Sequence, residues 1–176
     1  MKVLAFHGSL RKESFNKKAL KAAIELAPDG MEFDVFEGLS DIPHYNEDVK
    51  EKGFPDLVAD LRKRVKAADA ILFVTPEYNY SVPGVLKNAI DWVSRPPEPP
   101  FDGKRCAMMG ASISKFGTAR AQYHLRQMCV YLNLFPLNRP EVMIADAEKN
   151  FDKDGKLTNE TARRLIRELL EALMKD

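Results

Sequence analysis

Three short segments hold residues whose types and spacing could do chemistry. The first is Gly8-Ser9-Leu10-Arg11-Lys12-Glu13-Ser14-Phe15-Asn16, between a strand-like run and a helix-like one. Ser9, Ser14 and Asn16 are short polar groups, and Arg11 can fork onto two oxygens. The backbone N–H groups of a helix start point the same way and carry the positive end of the helix dipole. That set suits one terminal phosphate. With a single glycine the segment is not G-x-G-x-x-G, and the G-x-x-x-x-G-K-[ST] spacing is absent, so a dinucleotide pyrophosphate and a P-loop are both disfavoured. The plainer reading is an N-cap at Ser14 beside a solvated arginine.

The second segment, Thr75-Pro76-Glu77-Tyr78-Asn79-Tyr80-Ser81-Val82-Pro83-Gly84, is long for a connection between a buried strand and a helix. Its prolines restrict it, and Tyr78, Asn79 and Tyr80 offer flat faces and hydrogen bonds. A planar heterocycle with polar edges matches that inventory; the alternative is a tyrosine-rich turn packed on its own domain. Glu77 could be read as a general acid, but its place in the loop favours a structural carboxylate. The third segment, Gly110-Ala111-Ser112-Ile113-Ser114-Lys115-Phe116-Gly117, could wall the other side of such a ring, or be a plain strand-to-helix connection.

Elsewhere the chemistry is sparse. His7, His44 and His124 show no metal-ligand spacing, and Cys106 and Cys129 are too far apart for a zinc or redox motif, so no metal is expected. Both cysteines sit among apolar neighbours and read as inert buried thiols. Asn150-x-Asp152-x-Asp154-Gly155 resembles the front of an EF-hand loop, but position twelve is Thr161 rather than a bidentate glutamate, so a solvated turn is expected.

The elements that must position these segments alternate. Strands are read at Val3 to His7, Met31 to Phe36, Ala70 to Thr75, Arg105 to Met109 and Glu141 to Ile144. Helices are read at Ser14 to Ala27, Asp56 to Ala68, Pro83 to Ser94, Phe116 to Leu134, and from Ala162 to the end, from apolar residues recurring at i, i+3, i+4 and i+7. Ala70-Ile71-Leu72-Phe73-Val74 is a continuous apolar run, the mark of a parallel strand covered on both faces. Five strands alternating with five helices argue for an α/β three-layer sandwich with a five-stranded parallel sheet in the order 2-1-3-4-5. Ligands then sit at the carboxyl ends of the strands where the order reverses, which is where the three segments fall. Pro96-Pro97-Glu98-Pro99-Pro100 has a linker's composition, but the length of the chain favours a stiff surface loop within a single domain, 1–176.

Composition narrows the partners. Lys and Arg total 27 against 26 Asp and Glu, a net charge of +1, which gives no electrostatic case for nucleic acid or a membrane surface. No apolar run approaches the ~20 residues of a membrane helix, and the N-terminus lacks the features of a signal peptide. A cytoplasmic protein is expected.

The segments resemble the NADPH-dependent FMN reductase family, which includes soluble quinone, azo-dye and chromate reductases. Gly8-Ser9-Leu10-Arg11 with Ser14 and Asn16 matches its G-S-x-R-x-x-S-x-N loop. Thr75 to Asn79 with Pro83 to Trp92 matches its T-P-E-Y-N…P-G-x-L-K-N-A-I-D-W signature, and Gly117-Thr118-Ala119-Arg120 leading to His124-Leu125-Arg126 resembles the start of its fourth helix. The match spans roughly residues 2 to 145. It departs in the third segment, where Gly117-Thr118 stands in place of a glycine pair, so Ser112 to Phe116 transfer least securely.

The resemblance implies a flavodoxin-like fold, with Ser9, Arg11, Ser14, Phe15 and Asn16 on the phosphate of FMN, Pro76, Glu77, Tyr78 and Asn79 on its ring, and Ser112 beside it. It implies NADPH or NADH as co-substrate, ping-pong hydride transfer, and quinones, flavins, azo dyes or metal oxyanions as acceptors. No side chain need act as acid, base or nucleophile, because the flavin carries the chemistry. Homodimers or homotetramers are implied too, with flavins near subunit interfaces. By residue type Trp92 reads as core or interface, with an interface preferred, and Arg120, Tyr123 and Glu141 are candidate partners for Tyr80 of another subunit. Two other readings compete. A flavodoxin-type electron carrier would hold FMN without oxidising a nicotinamide, but such carriers tend to be acidic and lack an arginine in the phosphate loop. A flavin-free α/β module binding a partner is the other.

Overall fold

The computed structural model describes residues 1–175. Strand β1 (Lys2–His7) leads to helix α1 (Phe15–Glu25) and strand β2 (Glu32–Phe36). A polar stretch with a four-residue helix, α2 (Glu47–Lys50), precedes α3 (Asp56–Ala67) and β3 (Ala70–Val74). Then come α4 (Gly84–Val93), β4 (Arg105–Ala111), α5 (Ala119–Leu132), β5 (Phe135–Pro136) and β6 (Val142–Ile144). A short α6 (Ala147–Asn150) and the long α7 (Glu160–Met174) end the chain. The sheet is parallel, in the order β2-β1-β3-β4-β5, with β6 also on the outer edge of β4.

The expected order therefore holds, with one difference in the fifth lane. It is shared by two short strands: β5 pairs Arg105 and Cys106, and β6 pairs Met109 to Ala111. Pro136 and Pro140 lack the N–H a continuous ladder needs, so the lane breaks between them.

Each strand alternates its side chains between two cores. Leu4, Phe6, Ile71, Phe73, Cys106 and Met108 face α3, α4 and α5. Val3, Ala5, Leu72, Val74, Ala107 and Met109 face α1 and α7. Because both faces are covered, β1 from Val3 onward and all of β3 are buried at every position, which is why they read as continuous apolar runs. Each large apolar side chain so buried contributes about 1.5–3 kcal/mol relative to exposure. Among the described residues no helix is long and apolar enough to cross a membrane.

Three local expectations are resolved here. Trp92, expected at an interface, is fully buried. The segment before α2 folds over it, its Nε1–H donates to the Pro43 carbonyl at 2.8 Å, and Tyr45 packs edge-on against it. The proline-rich stretch is pinned onto α3 by Arg62, whose guanidinium donates to the carbonyls of Val93, Arg95, Pro97 and Glu98. The EF-hand-like segment is a turn in which Asp152 accepts from the backbone N–H groups of Asp154 and Lys156, and no metal-competent cluster of acidic, histidine and cysteine side chains occurs among the described residues.

Candidate functional site

The strands β1, β3 and β4 end side by side, and their ends are tied together before any loop begins. Gly8 N–H donates to Val74 O at 2.9 Å, and Thr75 N–H donates to Met109 O at 3.0 Å. Close approach demands glycine at two of these ends. A Cβ on Gly8 would lie 2.9 Å from Thr75 Oγ1, and one on Gly110 would strike Thr118 Oγ1 and the Thr75 carbonyl. The three loops that follow therefore start from a rigid platform.

In the first loop, Ser9, Ser14 and Asn16 are buried. Ser14 is the N-cap of α1, accepting from Asn16 N–H at 3.2 Å. Asn16 uses both ends of its amide on one partner: Nδ2–H donates to Ala111 O, and Oδ1 accepts from Ala111 N–H, each at 2.9 Å. Its side chain thus bolts the start of α1 to the end of β4, and its place in an anion site is positional. Phe15 packs at a tilt against Phe151, ring centroids 5.5 Å apart, leaving its N–H as its polar offering. Arg11 is exposed and donates to Glu13 O at 2.7 Å, and its N–H reaches Ser9 Oγ at 3.4 Å.

The unpaired groups are the telling ones. Among the described residues, the backbone N–H groups of Leu10, Lys12, Glu13, Ser14 and Phe15 have no acceptor within the chain. They lead into the positive end of the α1 dipole, with the Arg11 guanidinium alongside. This donor set fits a phosphate monoester: N–H groups and one guanidinium, with the acidic side chain of the turn, Glu13, paired to Lys18 at 3.2 Å.

The second loop is a tight hairpin. Tyr78 N–H donates to Ser81 O and Ser81 N–H to Tyr78 O, at 2.9 and 3.0 Å, with Asn79 and Tyr80 between them at φ 49° and 68°. Asn tolerates that left-handed conformation, whereas for Tyr80 it is strained. The Arg120 guanidinium, 3.7 Å from the Tyr80 ring centroid, covers the strained residue. Tyr80 therefore meets Arg120 of its own chain, and Tyr123 Oη–H donates to Glu141 at 3.0 Å, also within the chain. That bond and the carboxylate's charge raise the Tyr123 phenol above its ordinary range. Among the described residues the N–H groups of Glu77, Asn79 and Tyr80 have no acceptor, and Tyr78 is half-exposed. Pro76 is buried, and its carbonyl accepts from Thr75 Oγ1 at 2.9 Å.

Glu77 caps α5. Thr118, the residue in the N-cap position, makes no side-chain cap, because its hydroxyl faces inward and accepts from Gln122. The Glu77 carboxylate, 5 % exposed, takes over the capping role from another loop. It accepts from the N–H groups of Arg120 and Ala121 at 3.0 and 3.2 Å and from the Arg120 guanidinium. With these donors in place it has no role as a proton donor. In the third loop, Ser112 Oγ accepts from Ser114 N–H at 3.1 Å and its own N–H goes to Ile144 O, so this residue organises its loop.

The structure thus brings all three segments to one end of the sheet and sorts their residues. Arg11 and the turn N–H groups face outward as donors, Asn79 and Tyr80 offer backbone N–H groups, and Asn16, Glu77 and Ser112 hold the loops in place. Leu10, Tyr78, Ile113 and Phe116, one or two from each loop, are exposed apolar side chains at this end. The close packing of Gly110 under Thr75 and Thr118, and the hydrogen bonds that His7 makes to Ser9 and Glu37, had no sequence signal, because each depends on contacts between distant segments.

An apolar-rimmed, donor-rich surface at the switch point of such a sheet is a recurrent place for a flat phosphorylated ligand. Comparison with known proteins agrees in kind. Residues 1–149 match the family model described as NADPH-dependent FMN reductase. The chain is 57% identical over 173 residues to an NAD(P)H-dependent FMN reductase of Pseudomonas aeruginosa, covering 98% of this chain and 93% of that one. It is 46% identical over 144 residues to a quinone reductase of Escherichia coli, covering 81% and 77% of the two chains. Among solved structures, the flavoenzyme NAD(P)H:(acceptor) oxidoreductase FerB of Paracoccus denitrificans superposes with a TM-score of 0.89 at 35% identity, over 98% of this chain and 94% of that one. With its fold, its loop signatures and its relatives in agreement over most of its length, the chain belongs to the NADPH-dependent FMN reductase family.

Proposed function

We propose that the protein is an FMN-dependent oxidoreductase that takes reducing equivalents from NADPH or NADH and delivers them to quinone-like acceptors. The observation that carries this reading is the set of unpaired N–H groups, Leu10 and Lys12 to Phe15 among the described residues, at the α1 start, with the Arg11 guanidinium beside it. Phosphate specificity follows from charge and donor number. The hairpin supplies the second half, since the N–H groups of Glu77, Asn79 and Tyr80 are available for the polar edge of a ring.

When bound, FMN would supply the hydride-accepting and hydride-donating chemistry. The chain's own residues bind, orient and hold. Arg11 and the turn donors would grip the phosphate. Asn16 fixes that turn to the end of β4, so the phosphate and ring seats keep a constant separation. Glu77 and Arg120 fix the hairpin to α5. Leu10, Tyr78, Ile113 and Phe116 give planar co-substrates an apolar surface to settle on. Acceptor choice among quinones, flavins, azo dyes and metal oxyanions then depends on that rim. The full chain acts as a single domain, supported by the packing of α7 on the same sheet as α1. A homodimer or homotetramer in the cytoplasm is the setting we propose.

The test is direct. Purified protein mixed with FMN should bind it, and NADPH or NADH should bleach the flavin absorbance, which then returns when a quinone is added. A carrier without nicotinamide oxidation would leave the flavin oxidised. Arg11→Ala, which removes the guanidinium, and Asn79→Ala, which strains the hairpin at its φ of 49°, should each weaken FMN binding by about tenfold or more. Wild-type affinity in both would place the pocket elsewhere.

A further inference from the structure

His7 is the last residue of β1 and the one before the phosphate turn. It is 3 % exposed. Its Nδ1 lies 3.1 Å from the Ser9 carbonyl oxygen, and its Nε2 lies 2.7 Å from Glu37 Oε2. Both partners are acceptors. A neutral imidazole has one N–H and one lone pair, so either tautomer would set a lone pair against an oxygen. Two donated bonds need a proton on each nitrogen. A buried charge is tolerated only when paired, and the Glu37 carboxylate supplies the pair.

We propose that His7 is a positioning residue for the phosphate turn and that it acts as an imidazolium. Its Nδ1–H ties the Ser9 carbonyl inward, so that this oxygen cannot face an anion held by the following N–H groups. Its positive charge sits at the root of the same turn. The other charged groups facing it are Glu37, Lys17, whose Nζ is 3.9 Å from Glu37 Oε2, and Lys21 and Glu25, which line the same groove between α1 and the end of β2. With two cations and two carboxylates around it, the imidazolium paired to Glu37 leaves that group with a net charge of +1. The inference rests on the phosphate seat proposed above. It adds that the grip on the phosphate depends on a residue that does not touch the ligand.

The first test needs no flavin. In 15N-histidine-labelled protein at pH 7, long-range 1H–15N spectra should show both His7 nitrogens protonated, the resonance being identified by its loss in His7→Asn. A single protonated nitrogen would overturn the proposal. The second test compares FMN with riboflavin, which has the ring but no phosphate, by fluorescence quenching. His7→Asn should weaken FMN roughly tenfold and leave riboflavin unchanged. Glu37→Gln, a change at an exposed side chain and so safe for folding, should shift FMN affinity in the same direction. An equal loss of riboflavin and FMN in His7→Asn would overturn the proposal. Arg11→Ala separates the two levels: if it spares the preference for FMN over riboflavin, the phosphate seat is wrong. If it abolishes that preference while His7→Asn changes nothing, the seat stands and the role of His7 falls.

Discussion

Replacing Glu77 with alanine isolates how the ring-side hairpin is held. The carboxylate is the acceptor for two N–H groups in the first turn of α5 and for the Arg120 guanidinium. Loss of a helix cap costs about 0.5–2 kcal/mol. Breaking a buried ion pair from one side costs about 3–5 kcal/mol. Here the pair is half-open: Glu77 is 5 % exposed but Arg120 is 31 % exposed, so water can take over part of the guanidinium's bonding. A total of about 3 kcal/mol follows. In a chain of this size that corresponds to a fall in Tm of about 6–12 °C. Glu77→Gln keeps one oxygen for the helix N–H groups and loses the charge, so a fall of about 2–4 °C is expected. The assay is thermal unfolding of flavin-free protein followed by circular dichroism, with and without 0.5 M salt, which shortens the Debye length to about 4 Å. The salt should change the difference little, because the capped N–H groups and the carboxylate are shielded. An alanine variant melting within about 2 °C of wild type would refute the capping argument.

Two further outcomes follow from geometry. Gly110→Ala drives a methyl group into the Thr75 carbonyl and the Thr118 side chain, so urea denaturation should show a loss of about 3 kcal/mol or more, or the protein should fail to accumulate in soluble form. Asp34 is held below the ordinary carboxylate range chiefly by its hydrogen bonds to Arg64. A depressed folded value means that its contribution is present above the unfolded value of 3.8 and is lost as pH falls through the lower folded one. With both side chains about a quarter exposed, Asp34→Asn should cost roughly 1 kcal/mol at pH 7, and the gap to wild type should close as the pH falls below 3.8 in chemical denaturation.

Much of the architecture was legible because burial on both faces of a parallel sheet leaves no polar position. Ala70 to Val74 announces a central strand for that reason, and the stripes of α1, α3, α4 and α7 give their periods plainly. Once strands and helices alternate, the order and the functional end of the sheet follow from connection rules. The broken fifth lane was less legible, since strands of two and three residues carry almost no pattern. Trp92 was misplaced because its type alone suits a core or an interface, and what covers it is an irregular segment some 50 residues earlier.

The same division runs through the site. Residue types and spacing alone marked the first turn as anion-binding and the second loop as a platform, since donors, a guanidinium and tyrosines are chemical inventory that needs no coordinates. They did not say which of those groups remain available. Asn16 looks like a ligand in sequence, yet both ends of its amide belong to Ala111, 95 residues away. Glu77, read as a structural carboxylate, turns out to cap α5 from another loop, and His7, which looks like the end of a strand, joins the turn before α1 to Glu37. Hydrogen-bonding capacity is fixed by the side chain, but its use is decided by whichever distant segment the fold brings within about 3 Å.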